Sequence, residues 1–376
     1  MKIGVPKETA DGERRVALVP DVAKSLAASE RVSVAVESGA GEAAGHPDSQ
    51  YAEAGAEVVE GEVTWGADVV LRVAAPSAAE IARLNSSQVL IGHLSPWTAA
   101  ETNNALAQAG VTSFAMEAIP RTTRAQAMDA LSSQAAAAGY AASLIAARES
   151  GRFYGMMTTA AGTVPPAKVL VLGAGVAGLQ AVATAKRLGA IVTGFDIRRA
   201  AWEQIASLGG RPLELDFIPD AEGEGGYARP LTDEENAQVR DALGENAAKQ
   251  DVIVTTAAIP GRPAPLLITA DAVRGMAPGS VILDLAAETG GNCELTEAGQ
   301  TVVENGVKVI GPRNLASEMP RPASQLYAKN LENLLGLLIT DEGELNVDFE
   351  DDIVAAACIT HGGEIRNERA AGRDSA

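Results

Sequence analysis

A glycine-rich turn between an apolar strand and a helix constrains the fold of this chain more than any other feature. The apolar run Val169–Leu172 leads into Gly173, Gly175 and Gly178, and Asp196 ends the next apolar run twenty-three residues after the first glycine. In a βαβ unit with this spacing, the first glycine permits a tight turn and the second lets the backbone approach a pyrophosphate. The third lets the helix pack on the strand. The pattern therefore predicts a dinucleotide-binding βαβ unit in mid-chain.

The same unit predicts which nucleotide binds. The amino end of the helix offers unpaired N–H groups to a pyrophosphate, and the helix dipole favours an anion there. Asp196 lies where a carboxylate accepts hydrogen bonds from the adenosine ribose hydroxyls and repels a 2′-phosphate. The expected nucleotide is therefore NAD(H) rather than NADP(H).

Short apolar runs alternate with helical stretches along the whole chain. Strands are predicted at Lys2–Val5, Arg31–Val36, Ala67–Val73, Gln88–Gly92, Val111–Ala115, Val169–Leu172, Ile191–Phe195, Arg211–Leu215, Asp251–Thr256, Ser280–Asp284 and Val307–Ile310. Pro20 begins an early helix, and the Ala-rich segment Ala125–Ser150 is predicted as one helix that bridges two domains. A helix over Ser324–Ile339 is predicted to return the chain to the first domain.

This alternation predicts an α/β protein. Its 376 residues, 47% of them apolar, suffice for about two domains with separate cores. We expect two Rossmann-like, doubly wound parallel-sheet domains, the first of them discontinuous. The first comprises residues 1–134 plus 325–376, and the NAD(H)-binding domain comprises residues 135–324.

Charge and cysteine content exclude several classes of function. A formal net charge of −19 disfavours binding to nucleic acid or to anionic lipid. Cys293 and Cys358 lie too far apart in sequence to indicate a disulfide framework or a paired metal site. The longest apolar runs are too short for a membrane span, and the amino terminus reads as a strand rather than a signal peptide. We therefore expect a cytoplasmic protein without direct membrane insertion.

One segment interrupts the alternating pattern. Pro219–Pro230 is polar and rich in glycine, is too long for an ordinary connection, and carries a lone aromatic residue, Tyr227. Two interpretations remain open from these residues: a disordered surface insertion, or a mobile lid whose tyrosine closes over a bound nucleotide.

Several segments together resemble a known family. Lys2–Glu8, Glu13–Pro20 and the central glycine unit are similar to the family that contains alanine dehydrogenase and the NAD(H)-binding component of proton-translocating NAD(P) transhydrogenase. The resemblance covers essentially the whole chain. Three further segments resemble the transhydrogenase branch, namely its Arg-Gln-Asp loop at 120–134, its mobile loop at 225–228 and the segment 290–296.

The resemblance implies roles for residues of the first of these loops. Arg121, Asp129 and Ser132 would fix the nicotinamide carboxamide, and Gln126 would reach toward NADP(H) on a partner subunit. A cation, an anion and hydroxyl and amide groups can satisfy a carboxamide, which both donates and accepts hydrogen bonds. Without the resemblance, the same residues are also typical of a helix amino terminus with solvated charges.

The resemblance also implies the remaining site residues. Tyr227 would close over the nucleotide as part of the catalytic machinery. The residues expected to bind the cofactor are Gly173, Gly175, Val176, Gly178, Asp196, Ile197, Arg198, Gly226 and Ala258. No metal ligand is expected.

The implied function is a two-nucleotide reaction. The chain would hold NAD(H) and exchange a hydride with NADP(H) on a partner subunit, while membrane-spanning partner subunits translocate protons. A homodimer attached peripherally to the inner membrane through those partners is implied as well.

The alternative is an alanine-dehydrogenase-like, NAD-dependent amino-acid dehydrogenase. His93 and Arg15 match positions of that branch, but Ala74 stands where its substrate lysine would be. Because alanine cannot bind a carboxylate or transfer a proton, amino-acid oxidation is disfavoured.

Overall fold

The computed structural model describes residues 1–215, 229, 231–258, 261–340 and 342–372. The chain forms two compact units, one of Met1–Gln134 with Ser317–Ala376 and one of Ala135–Ala316. Each unit contains a parallel-rich sheet with helices. The predicted α/β class with two Rossmann-like sheets is confirmed.

The elements are numbered in chain order within the described residues. The strands are β1 (Lys2–Val5), β2 (Ser33–Glu37), β3 (Glu57–Val59), β4 (Val69–Leu71), β5 (Val89–Gly92), β6 (Thr112–Ala115), β7 (Met157–Thr159), β8 (Gly162–Val164), β9 (Lys168–Leu172), β10 (Ile191–Phe195), β11 (Arg211–Pro212), β12 (Val252–Thr255), β13 (Val281–Asp284), β14 (Thr301–Glu304), β15 (Val307–Ile310), β16 (Cys358–His361) and β17 (Glu364–Ile365). The α-helices are α1 (Pro20–Ala27), α2 (Asp48–Glu53), α3 (Gly61–Trp65), α4 (Ala78–Ile81), α5 (Ala100–Gln108), α6 (Ala130–Ser150), α7 (Val176–Arg187), α8 (Ala200–Ser207), α9 (Asp233–Ala247), α10 (Ala270–Arg274), α11 (Pro320–Leu338) and α12 (Asp352–Ala357).

The first unit is built on an eight-stranded sheet in the order β17-β16-β6-β5-β4-β1-β2-β3. Its six strands from β1 to β6 are parallel, and β16 and β17 extend the edge in antiparallel fashion. Helix α11 returns the chain to this unit and buries an apolar stripe in its core, which includes Tyr327, Leu331, Leu334 and Leu338. The strand order reverses direction between β1 and β4, the point at which a doubly wound sheet usually admits a ligand.

In the first unit that point is filled by the chain itself. The side chains of Arg72 and Glu8 are almost fully buried and pair through two hydrogen bonds of 3.1 and 2.9 Å. Glu8 also accepts the backbone N–H groups of Val73 and Ala74, and Arg72 binds Glu80 at 2.8 Å. Burial raises the pKa of Glu8, against the lowering effect of the Arg72 charge. These contacts join the carboxyl ends of β1 and β4.

The second unit is built on a seven-stranded sheet in the order β11-β10-β9-β12-β13-β15-β14. All neighbouring pairs are parallel except β14 with β15, which form an antiparallel edge. Here the strand order reverses between β9 and β12. A separate two-stranded hairpin, β7 with β8, precedes the sheet in the chain.

Two local predictions require correction. The helix predicted from Ala125 begins at Ala130, because Gln126–Met128 forms a 3-10 turn before it. The strand predicted at Arg211–Leu215 has only its first two residues in the sheet, since β11 is an edge strand paired on one side with β10. Among the described residues, no helix combines the length and apolarity that a membrane crossing needs.

Candidate functional site

The turn after β9 contains three glycines, each with a different physical requirement. Gly173 has a φ of +93°, which L side chains rarely adopt. A Cβ on Gly178 would lie 1.8 Å from the carbonyl oxygen of Gly173, so the start of α7 can approach the turn only without a side chain. A Cβ on Gly175 would meet no protein atom within 4 Å. The space beside Gly175 is therefore open.

Helix α7 begins directly after Gly175, and no side chain caps it there. Its first-turn N–H groups face the same open side of the turn that a Cβ on Gly175 would enter, which suits close approach by an anion. The residues present thus fit the pyrophosphate of a dinucleotide: a side-chain-free approach, a positive φ at the turn and a helix amino terminus. Val176 is exposed at the first turn of α7.

Asp196 follows β10 and is held on both carboxylate oxygens. Oδ1 accepts the backbone N–H and the Nε–H of Arg198, both at 2.9 Å. Oδ2 accepts the Nη2–H of Arg198 and the backbone N–H of Ala174, both at 2.8 Å. The indole of Trp202 donates to the backbone carbonyl of Asp196 at 2.9 Å. The carboxylate therefore links the glycine turn to a forked arginine pair, and Ile197 packs partly buried against the core beneath.

The loop after β12 forms another border of this region. Thr256 donates to the carbonyl oxygen of Gly173 at 3.0 Å, and Ala258 is exposed two residues later. The Asn292 side chain holds the loop by accepting the N–H of Ala257 at 3.0 Å and donating to its carbonyl at 2.8 Å. The amide of a buried asparagine thus fixes the backbone beside the turn.

Asp284, at the end of β13, organises the next segment of chain. Its buried carboxylate accepts five hydrogen bonds of 2.7–3.1 Å. The donors are the hydroxyls of Thr255 and Thr296 and the backbone N–H groups of Ala286, Asn292 and Cys293. Sequence reasoning missed Asp284 and Asn292, although an acid at the end of an apolar strand was a signal that could have found the first.

The Arg-Gln-Asp segment belongs to the first unit. Asp129 precedes α6 and accepts the N–H of Ser132 at 2.9 Å and its hydroxyl at 2.6 Å. Arg121 and Gln126 are exposed. The structure therefore brings together Asp129 and Ser132 as a helix cap and leaves the Gln126 amide accessible.

The same segment is tied to the amino end of α12. Arg124, which sequence reasoning did not select, forms a two-pronged ion pair with Asp351 at 2.6 and 2.9 Å and also pairs with Asp352. This pairing holds the pKa of Asp351 at about 2. Arg124 thus anchors the exposed loop that carries Gln126.

The positions that match alanine dehydrogenase are engaged in contacts within the first unit. Ala74 donates its N–H to Glu8, and the His93 ring stacks on Tyr327 with ring centroids 5.1 Å apart. Arg15 pairs with Glu13 at 2.6 Å. Gly226 and Tyr227, predicted for the closing loop, lie outside the described residues.

Comparisons with known proteins agree on one family over the whole chain. Models of the alanine dehydrogenase/PNT N-terminal and C-terminal domains match residues 4–138 and 142–368. An NAD(P) transhydrogenase subunit alpha polypeptide of Rhodospirillum rubrum is 46% identical over 97% of this chain and 97% of its own. Alanine dehydrogenase of Halomonas elongata is 32% identical over 97% and 94%. The crystal structure of transhydrogenase from Sinorhizobium meliloti has a TM-score of 0.86 and 43% identity, covering 98% of this chain and 99% of that one.

Proposed function

The chain belongs to the alanine dehydrogenase/PNT family, and we propose that it is the NAD(H)-binding subunit of an NAD(P) transhydrogenase. The observation that carries this assignment is its similarity to the Rhodospirillum rubrum alpha polypeptide over nearly the whole length of both chains, which exceeds its similarity to alanine dehydrogenase. The open turn at Gly175 supports dinucleotide binding by the second unit.

The proposed reaction is direct hydride transfer. A hydride leaves the reduced nicotinamide of NADH and joins that of NADP⁺ on a partner subunit, which leaves NAD⁺ and NADPH. The transfer itself requires no proton acceptor, so residues that bind and orient suffice. Membrane-spanning partner subunits would couple the reaction to proton translocation and hold this chain at the cytoplasmic face of the inner membrane.

Each predicted residue has a role within this proposal. The glycine turn with Val176 would bind the pyrophosphate, and Asp196, Ile197 and Arg198 would face the adenosine. Arg121, Asp129 and Ser132 would orient the carboxamide, and Gln126 would reach the partner's nucleotide. Gly226 and Tyr227 would close the site, and Ala258 would line it.

An alanine-dehydrogenase-like activity is the second candidate. It is favoured by the retained His93 and Arg15, and it is opposed by Ala74 and by the pairing of Arg15 with Glu13. A carboxylate substrate would have to compete with Glu13 for this arginine.

Reconstitution separates the two functions. The chain is mixed with a purified NADP(H)-binding component, and hydride transfer from NADH to an NADP⁺ analogue is followed spectrophotometrically. Transfer that requires both proteins is expected. Alanine-dependent NAD⁺ reduction by this chain alone, without transfer in the mixture, would support the second candidate and contradict the first.

Gln126→Asn should slow hydride transfer by up to about 100-fold, because a small misplacement of reacting groups has costs of this order. NADH affinity should stay near that of the wild type, since the side chain is exposed and keeps its amide. Stopped-flow transfer rates and NADH fluorescence titrations measure the two effects separately. Gln108→Asn, at another exposed glutamine of the first unit, is the matched control. Equal losses of rate and affinity in the Gln126 variant would refute its assigned role.

We also propose that the chain is a homodimer that pairs through the β7–β8 hairpin. Phe153, Met156, Met157 and Val164 on and beside this hairpin are 53%, 67%, 41% and 47% exposed. A two-stranded hairpin is marginally stable alone, and a cluster of exposed apolar side chains is typical of an interface. A second copy of the same hairpin is the occupant we propose, consistent with the homodimer that the family resemblance implies.

Met156→Glu should shift the protein from dimer to monomer, because a charge would be buried against apolar side chains. Sedimentation equilibrium measures the mass. Val303→Glu places the same charge at a residue 62% exposed on β14 and should leave the dimer intact. A Met156 variant that sediments as a dimer with wild-type affinity would contradict the hairpin interface.

A further inference from the structure

We propose, on the premise that the second unit binds NAD(H) as above, that Arg198 is a preformed anchor for a 2′-phosphate that Asp196 keeps closed. Discrimination against NADP(H) would then depend on the ion pair between these two side chains. The chain would already contain the cation that an NADP(H) site needs.

The pair has the geometry of a strong interaction. Arg198 presents Nε and Nη2 to the two oxygens of Asp196 at 2.9 and 2.8 Å, in the parallel arrangement that matches a guanidinium to a carboxylate. The side chains of Asp196 and Arg198 are only 8% and 21% exposed, so solvent screens the pair less than it screens surface pairs. The charge of Arg198 is therefore directed at this carboxylate.

The position of the pair explains why it bears on specificity. An acid at the end of the second strand of a dinucleotide unit faces the ribose 2′-hydroxyl, and sites for NADP(H) place an arginine nearby to accept the 2′-phosphate. Asp196 ends β10, and Arg198 lies two residues later. The carboxylate thus excludes a 2′-phosphate in two ways, because it repels the phosphate and occupies the guanidinium.

The backbone around the pair does not depend on the carboxylate charge. Trp202 donates to the main-chain carbonyl of Asp196, and β10 continues in register with β9 up to Phe195. Oδ2 of Asp196 also accepts the N–H of Ala174, and an asparagine amide oxygen can replace it in that role. Asp196→Asn therefore removes the charge and spares the hydrogen bond to the turn.

The test compares affinities for NADH, NADPH and 2′,5′-ADP by fluorescence and calorimetry. Wild type should bind NADH and bind 2′,5′-ADP poorly. Asp196→Asn should gain about tenfold or more in affinity for 2′,5′-ADP and NADPH, the order expected of one hydrogen-bonded charge. Asp196→Asn with Arg198→Ala should lose that gain, whereas Asp196→Asn with Arg199→Ala should keep it. Arg199 is the matched control because it is the adjacent arginine and lies over Trp202, 5.8 Å from the ring centroid.

Two outcomes would overturn the inference. One is an Asp196→Asn protein, folded by circular dichroism, that binds 2′,5′-ADP no better than wild type. The other is a gain that survives removal of Arg198. Failure of the wild type to bind NADH at all is a different result, and it would contradict the proposed function instead. A gain that weakens as salt is raised would support a phosphate bound by the guanidinium.

Discussion

Gly178→Ala should destabilise the second unit by about 3 kcal/mol, the upper end for overpacking, while Gly175→Ala should fold normally and lose nucleotide binding. The new Cβ at Gly178 would lie 1.8 Å from the Gly173 carbonyl oxygen and 2.9 Å from the Thr256 hydroxyl, so the backbone must move. At Gly175 the backbone has φ −74° and ψ −171°, which alanine adopts without strain, and a Cβ meets no protein atom within 4 Å.

The added methyl group at Gly175 would instead occupy the approach of the pyrophosphate to the helix amino terminus. Loss of hydrogen bonds to a charged group should lower NADH affinity by about tenfold to 100-fold. Urea unfolding and NADH fluorescence titration, applied to both variants, separate stability from binding. A Gly178 variant as stable as wild type would contradict the packing of the turn. Unchanged NADH affinity in the Gly175 variant would place the pyrophosphate elsewhere.

Asp284→Ala should cost about 4 kcal/mol of folding free energy, since it strands five donors around a buried cavity. Thr296→Val removes one of those donors and leaves the carboxylate with four, so its cost should be about 1 kcal/mol. The free energy of unfolding from urea titrations should therefore fall in this order for the two variants.

NADH affinity provides a second measurement of the same network. Asn292→Ala keeps the backbone N–H that Asp284 accepts, but it releases the loop at Ala257. We expect this variant to lose NADH affinity with a smaller loss of stability than Asp284→Ala. If Asp284→Ala unfolds within about 0.5 kcal/mol of wild type, the range of ordinary surface substitutions, the carboxylate does not organise this segment.

The sequence predicted those parts of the fold and site that depend on local geometry. Strands β1, β10 and β15 have the predicted bounds because each is a continuous apolar run. The glycine turn was found because its residue types follow from its own backbone. The hairpin of β7 and β8 and the antiparallel edge strand β14 were missed, since strands of three or four residues show too few alternations to reveal a period.

The missed site residues share a different cause. Asp284 meets Thr255 across 29 positions of sequence, and Asn292 meets Ala257 across 35. Arg124 meets Asp351 across 227. No local pattern indicates such partners, because the tertiary fold selects them. The forked pairing of Arg198 with Asp196 is close in sequence, yet it depends on side-chain rotamers that the residue order does not specify.

The buried Glu8 carboxylate gives the first sheet a tethered ligand of its own. It occupies the reversal point between β1 and β4, where it binds Arg72 and two backbone N–H groups. A tethered group competes with free molecules at a high effective concentration, and it cannot diffuse away. Any external anion would have to displace a competitor that is always present. The two sheets of the chain thus share a design but differ in occupancy: one is permanently self-liganded, and the other keeps its turn open for exchange.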